Sequence, residues 1–449
     1  MDQITLGDYL LLPFYLLAIY SIAFKLRDRL YPKNHPLRTY FIPGLTVKLF
    51  GAIFIGLIYQ YYYHGGDTFA FFAHCQIINS SFFDSPSTWL RLITHTADFT
   101  NLKDQYYISQ MYWYDDTSSY TVSCLAAFIG IFCFTKYLVI ASLFGVFAFS
   151  GSWVFYLCFL KQYPALKKQL FIAILCVPSL VIWGSGLFKD TVCMIGLGWL
   201  TFTIYNLFEL LKFKWRYLLI MMICMILIFL IKSYILVSFL PFIILKTFLY
   251  HRKRVKNNPS NRFAFNASIF MIVLISILSL NMLRTLLLAF SVENVVKTVV
   301  VQKDYLLRIS LEEGGSAYNL GDFEPTPSGL LKKVGPAINV ALFRPYFWES
   351  GSILILFNAI EANLLLIFTL YLPFRKNILK IFKQIYRDPN LIMCLGFSLL
   401  FAFFVGISSF NFGSLSRYRI PCILFYAVFL VILYYDKNEK KVEPIVKED

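Results

Sequence analysis

The stretch YLLIMMICMILIFLIKSYILVSFLPFIILKTFLY, residues 217–250, carries only two charges, Lys232 and Lys246. About twenty apolar residues in a helix cross a hydrocarbon core roughly 30 Å thick. Runs of this kind recur from one end of the chain to the other. Inside lipid every backbone N–H and C=O must be satisfied within the protein, and for continuous apolar runs of this length that requires helices. The reading is therefore an all-α polytopic membrane protein. Composition agrees: 15% of the residues are charged, against about 25% in a soluble domain.

Candidate spans are 4–24, 41–62, 119–135, 137–160, 168–184, 191–211, 217–232, 234–250, 264–290, 351–373, 390–410 and 420–435. That makes about 11–12 transmembrane or re-entrant helices in one domain, 1–436, followed by a charged tail, 437–449. The first run has no basic segment before it and no small-residue cleavage site after it, so it is expected to be a retained span. Nine cysteines lie scattered with no C-x-x-C pair, and buried thiols account for them better than a disulfide or metal framework.

The net charge of +16 would suit nucleic acid, but its placement argues otherwise. The basic residues gather in short loops at 25–40, 212–216, 246–262 and 375–387 and in the tail, which is the positive-inside pattern. No nucleic-acid partner is expected. The two long loops differ. Residues 64–118 hold two basic residues against six aspartates, and 291–350 hold six basic against seven acidic. Both are assigned to the outer face, with the N-terminus outside and the C-terminus cytoplasmic. Crossing parity then requires one run between 119 and 184 to fail to span. The run 168–184, interrupted by Pro178, suits a broken or re-entrant segment, a form tolerated where it lines a cavity. Two aromatic stretches, TFAFFAHCQIINSSFF and QYYISQMYWY, read as interfacial helices in the first outer loop.

Four polar clusters map to that outer face. In YYYHGGDTFAFF, His64 and Asp67 flank a Gly-Gly pair that permits positive φ and close backbone approach; a simple turn leaving the membrane is the competing explanation. In GSGLFKD, Lys189 and Asp190 open an apolar helix. Lys189 and free backbone N–H groups suit a phosphate, while Asp190 also serves as a helix cap. In LFRPYFWESGSILILFNAIEAN, Arg344 and Glu349 flank an aromatic segment, and Glu361 lies about three turns inside an apolar run. An ionisable group there is costly unless it faces a polar interior. In NFGSLSRYR, Arg417 and Arg419 stand on the outer side of the last span and need an anionic partner, for which the planar guanidinium fork favours phosphate oxygens. Snorkelling to lipid headgroups is the plainer alternative. No metal-ligand spacing, P-loop or dinucleotide fingerprint is present, so neither a metal nor a cofactor is expected.

The order GGD, SGLFKD, FRPYFWE…E and NFGSLSRYR resembles bacterial multi-span proteins of surface-polysaccharide assembly: glycosyltransferases of the GT-C membrane fold and O-antigen or exopolysaccharide polymerases. The resemblance implies a GT-C-like bundle in the bacterial inner membrane. It implies a polyprenyl-phosphate-linked sugar or oligosaccharide as donor, membrane lipids as surroundings, and other glycan-assembly proteins as partners. The resemblance makes Asp67 the general base and sets Arg344, Arg417 and Arg419 on the carrier pyrophosphate. The residues themselves add Glu361 as a second catalytic candidate, Lys189 as a further phosphate-binding cation, and His64, Asp190 and Glu349 as groups that bind the substrate or orient those cations. The chain departs from the GT-C pattern in placing its acid after the second span. A flippase for a lipid-linked oligosaccharide and a non-enzymatic membrane scaffold are the rival readings.

Overall fold

The computed structural model describes residues 3–257, 318, 320, 321 and 326–435. The expected span 264–290, much of the loop 291–350 and the tail 437–449 lie outside the described residues. Among the described residues the secondary structure is helical, without strands. Seven helices are long and apolar enough to cross a membrane, and one bent pair makes an eighth if it forms a single span. The chain is a multi-pass membrane protein.

The helices in order are α1 (Leu6–Leu30), α2 (Arg38–Tyr61), α3 (Asp67–Asp84), α4 (Pro86–Ile93), α5 (Leu102–Ile108), α6 (Thr117–Ile131), α7 (Tyr137–Gln162), α8 (Lys167–Leu175), α9 (Pro178–Ile182) and α10 (Lys189–Ile204). A π-helical turn, Tyr205–Glu209, extends α10. Then come α11 (Trp215–Asn257), α12 (Pro327–Lys332), α13 (Val334–Phe343), α14 (Ile353–Arg375), α15 (Ile378–Arg387), α16 (Pro389–Ser408), α17 (Phe412–Tyr418) and α18 (Ile420–Tyr435).

Several expected spans take a different form. The run 119–135 yields only the fifteen residues of α6, about 22 Å of helix, which is short for a crossing. The run 168–184 breaks at Cys176–Val177 into α8 and α9; Pro178 starts the second piece because it cannot continue the first. Runs 217–232 and 234–250 meet within α11 as two helical pieces joined at a kink, where Lys232 leaves helical φ/ψ (φ −148°, ψ 75°), so the expected boundary between them is present. Residues 420–435 form α18, and the α17–α18 pair is bent by 61°. The loop after α2 holds helices as expected, but α3 packs on α6 and buries Phe69, Phe71, Phe72, Cys75 and Ile78.

The chain forms two compact units. The first comprises Met1–Leu157, Leu175–Leu200 and Ile220–Tyr234. In it α1 is an outlying helix with little buried surface, anchored at its start. Asp8 accepts a 2.7 Å bond from the Thr5 hydroxyl and a 3.0 Å bond from the Leu138 N–H at the opening of α7. α2 lies directly on the broken segment: a Cβ on Gly51 would stand 2.0 Å from the Val181 carbonyl oxygen of α9. Only a residue without a side chain fits there.

The second unit comprises Cys158–Ile174, Thr201–Leu219 and Ile235–Asp449. Its core is α16 packed between α13 and α18, with Phe239, Phe397 and Phe425 in mutual aromatic contact. A polar girdle closes one end. The Tyr163 hydroxyl donates to Asp388 Oδ2 at 2.6 Å, and the Asn390 amide donates to Gln162 Oε1 at 2.9 Å.

Candidate functional site

α2 ends in a turn that only its sequence permits. His64 sits at φ 55°, Gly65 at 155° and Gly66 at 122°. Positive φ is strained for most side chains but not for glycine. At Gly66 a Cβ would also meet the Tyr59 ring at 2.6 Å. The turn delivers Asp67 as the first residue of α3, where the exposed N–H groups and the helix dipole favour a carboxylate. Gly66 accepts the first N–H groups of the helix, from Phe69 at 3.0 Å and Ala70 at 3.1 Å.

The turn opens onto a cavity of about 510 Å³ whose wall includes Gln60, His64, Gly65, Gly66, Phe69 and Tyr112. Gln60 Oε1 accepts the backbone N–H groups of Gln3 (3.2 Å) and Ile4 (3.3 Å), so the start of the chain is fixed at its rim. The Asp67 charge acts on Tyr112, whose hydroxyl is pushed above its ordinary pKa by burial and then by that carboxylate. About two helical turns further along α3, His74 is buried against Tyr112 and Trp113. Among the described residues neither ring nitrogen has a hydrogen-bond partner. Burial holds the imidazole neutral, with its pKa lowered to about 4.

Lys189 opens α10 beside this turn. Its ammonium donates to the Ser118 hydroxyl at 2.6 Å and pairs with Asp116 Oδ2 at 3.4 Å, and it also lies within the field of Asp67. Asp116 is the N-cap of α6, accepting from the Ser118 N–H at 3.1 Å and from the Ser119 hydroxyl. Burial would raise the Asp116 carboxyl, but the Ser119 bond, the Lys189 charge and the Ser118 N–H together hold it below its usual pKa. The next residue, Asp190, is buried and ion-paired with Lys232 at the break in α11. Lys48, midway along α2, is buried and donates to the Leu180 (2.7 Å) and Gly184 (3.3 Å) carbonyls. It thereby satisfies carbonyl groups that the end of α9 leaves open, and it fixes the segment leading to Lys189.

The second unit holds the other candidates. Arg344 forms a bidentate pair with Glu349 through Nε (3.0 Å) and Nη2. Its guanidinium lies 5.4 Å from the Phe412 ring centre. Burial alone would raise the Glu349 carboxyl; bonds from Arg344 and the Tyr346 N–H hold it below the usual range. Arg419 is completely buried. It donates to the carbonyls of Arg344 (2.5 Å) and Asn358 (3.3 Å), with Glu361 at 3.9 Å. Its donors therefore tie α13, α14 and α18 together. Arg417, in α17, is half-buried.

Thus His64, Asp67, Lys189 and Asp190 belong to the first unit, and Arg344, Glu349, Glu361, Arg417 and Arg419 to the second. Sequence reasoning marked Lys232 as a charge within an apolar run but gave it no role, and it did not single out Asp116 or the buried pair Glu209–Lys246, whose charged atoms lie 2.7 Å apart. Asp116 had a legible signal, an aspartate followed by Thr-Ser-Ser at the start of an apolar run, which is an N-cap pattern. Glu209 and Lys246 sit at the ends of apolar runs and read as interface charges.

Comparison with protein-family models, with curated proteins and with solved structures returns no match. The functional reading rests on the geometry above.

Proposed function

We propose that this chain is a membrane glycosyltransferase or polysaccharide polymerase of the bacterial inner membrane. It would move a sugar or glycan unit from a polyprenyl (pyro)phosphate carrier to an acceptor hydroxyl at the outer face. One observation carries the reading: a cavity of about 510 Å³ formed at the His-Gly-Gly turn, with the Asp67 carboxylate next along the chain and the Lys189 ammonium within its field. The volume falls in the range of small-molecule sites. Phe69 and Tyr112 offer ring faces for a sugar, while Gln60 and His64 offer polar contacts.

In this mechanism Asp67 takes the proton of the acceptor hydroxyl as its oxygen attacks the anomeric carbon. The bond from that carbon to the carrier phosphate breaks, and Lys189 offsets the charge left on the phosphate. General-base catalysis of this kind contributes roughly 10²–10⁴-fold. Asp67→Asn should therefore reduce glycan transfer about a hundredfold or more in membranes supplied with a polyprenyl-linked donor, at unchanged protein level. Undiminished transfer would remove Asp67 from the chemistry.

A transporter of lipid-linked oligosaccharide is the second reading, favoured by charges buried along apolar helices: Lys48, Asp190–Lys232, Glu209–Lys246 and Glu361–Arg419. Such groups mark pathways as well as sites. Vesicles holding a labelled carrier lipid but no acceptor separate the two. Translocation without transfer would favour transport.

A further inference from the structure

α15, ILKIFKQIYR, connects two membrane-crossing helices, α14 and α16. The link between consecutive crossings lies at a membrane surface. At about 100° per residue, Ile378, Leu379, Phe382 and Tyr386 share one side of α15, and Lys380, Lys383 and Arg387 share another. The apolar side is uncovered: Leu379 is 77% exposed, Phe382 65% and Tyr386 84%. The three basic residues are exposed as well, whereas Gln384 on the remaining side is buried and accepts a 3.0 Å bond from Lys376. The helix is therefore held against its own unit along one side, with an apolar strip and a basic strip left facing outward. From Arg375 to Arg387 there are five basic residues and no acidic one.

A helix of this build lies in the plane of a bilayer interface, with its apolar strip among the upper acyl carbons and its cations among the headgroups. Neutral lipid would satisfy the first strip but not the second. We propose that α15 is a binding element for anionic phospholipid, with Leu379, Phe382 and Tyr386 inserted in the acyl region and Lys380 and Lys383 on headgroup phosphates. The element follows α14, whereas Arg344 and Glu349 precede it, and it contributes no residue to the candidate site or to the proposed chemistry.

The test uses the full chain, purified in detergent with equal amounts of phosphatidylcholine and phosphatidylglycerol, with retained lipid read by native mass spectrometry. Phosphatidylglycerol should be retained several-fold over phosphatidylcholine. Each lysine near an anionic surface is worth roughly five-fold, so Lys380→Gln with Lys383→Gln should bring the several-fold preference down to near parity. Both side chains are exposed, and the thermal transition should not move. Equal retention of the two lipids by the native chain, or a preference that survives the double substitution, overturns the proposal. So does displacement of the phosphatidylglycerol by inorganic phosphate, which would mark an ion site without lipid contact. A second arm places Tyr386→Trp in vesicles containing lipid brominated on the upper acyl carbons. Added emission that is quenched supports insertion, and added emission that stays unquenched rejects it.

Discussion

At the residue scale two positions make sharp demands. Gly66 combines φ 122° with a Tyr59 ring that a Cβ would meet at 2.6 Å. Gly66→Ala should destabilise the protein by about 1–3 kcal/mol. Gly335→Ala, in α13 with open space around its Cα, should be neutral or slightly stabilising. Thermal unfolding in detergent compares them. His74 gives a pH signature. Its pKa is lowered from 6.5 to about 4 in the folded chain, so between those values the unfolded chain binds more protons. Stability is full above about pH 6.5 and declines as pH falls toward 4, by up to about 3 kcal/mol. His74→Phe should flatten this part of the melting-temperature profile, and an unchanged slope would assign it to other groups.

At the scale of elements, the broken segments depend on buried cations. Lys232 marks the one non-helical residue in α11 and pairs with Asp190 at the start of α10. Removing one member of a buried pair leaves the other uncompensated, at a cost of about 3–5 kcal/mol. Lys232→Met should therefore destabilise strongly, and adding Asp190→Asn should recover much of the loss; a simple sum of the two effects would contradict the pairing. The break at Pro178 was legible because proline cannot continue α8. The identity of the partners was not. Nothing in the sequence near Asp190 points to Lys232, because the contact is made across tertiary structure between residues far apart in the chain. The same holds for Lys48, which looks like a stray charge until α9 is seen to end beneath it. Helix class followed from apolar length, and the kink at Lys232 falls where the runs 217–232 and 234–250 part, but span number did not follow, since α6 is too short to cross.

At the scale of the whole molecule, the sequence expectation rests on the asymmetry of charge between loops. Cysteines placed at Thr94, in the acidic loop, and at Lys383, in the basic loop, should react with a membrane-impermeant thiol reagent from opposite sides of inverted and right-side-out vesicles. Reaction from one side would overturn the assigned orientation. The bonds from Lys48 to Leu180 and Gly184 join residues 132 and 136 positions apart. At about 5–20 residues per second, the acceptors leave the ribosome roughly 7–27 s after the amine. During that interval α2 must enter the bilayer with a lysine at its centre and no carbonyl to receive it, which makes this helix a natural client for insertion factors that shelter polar segments until a distant part of the same chain arrives.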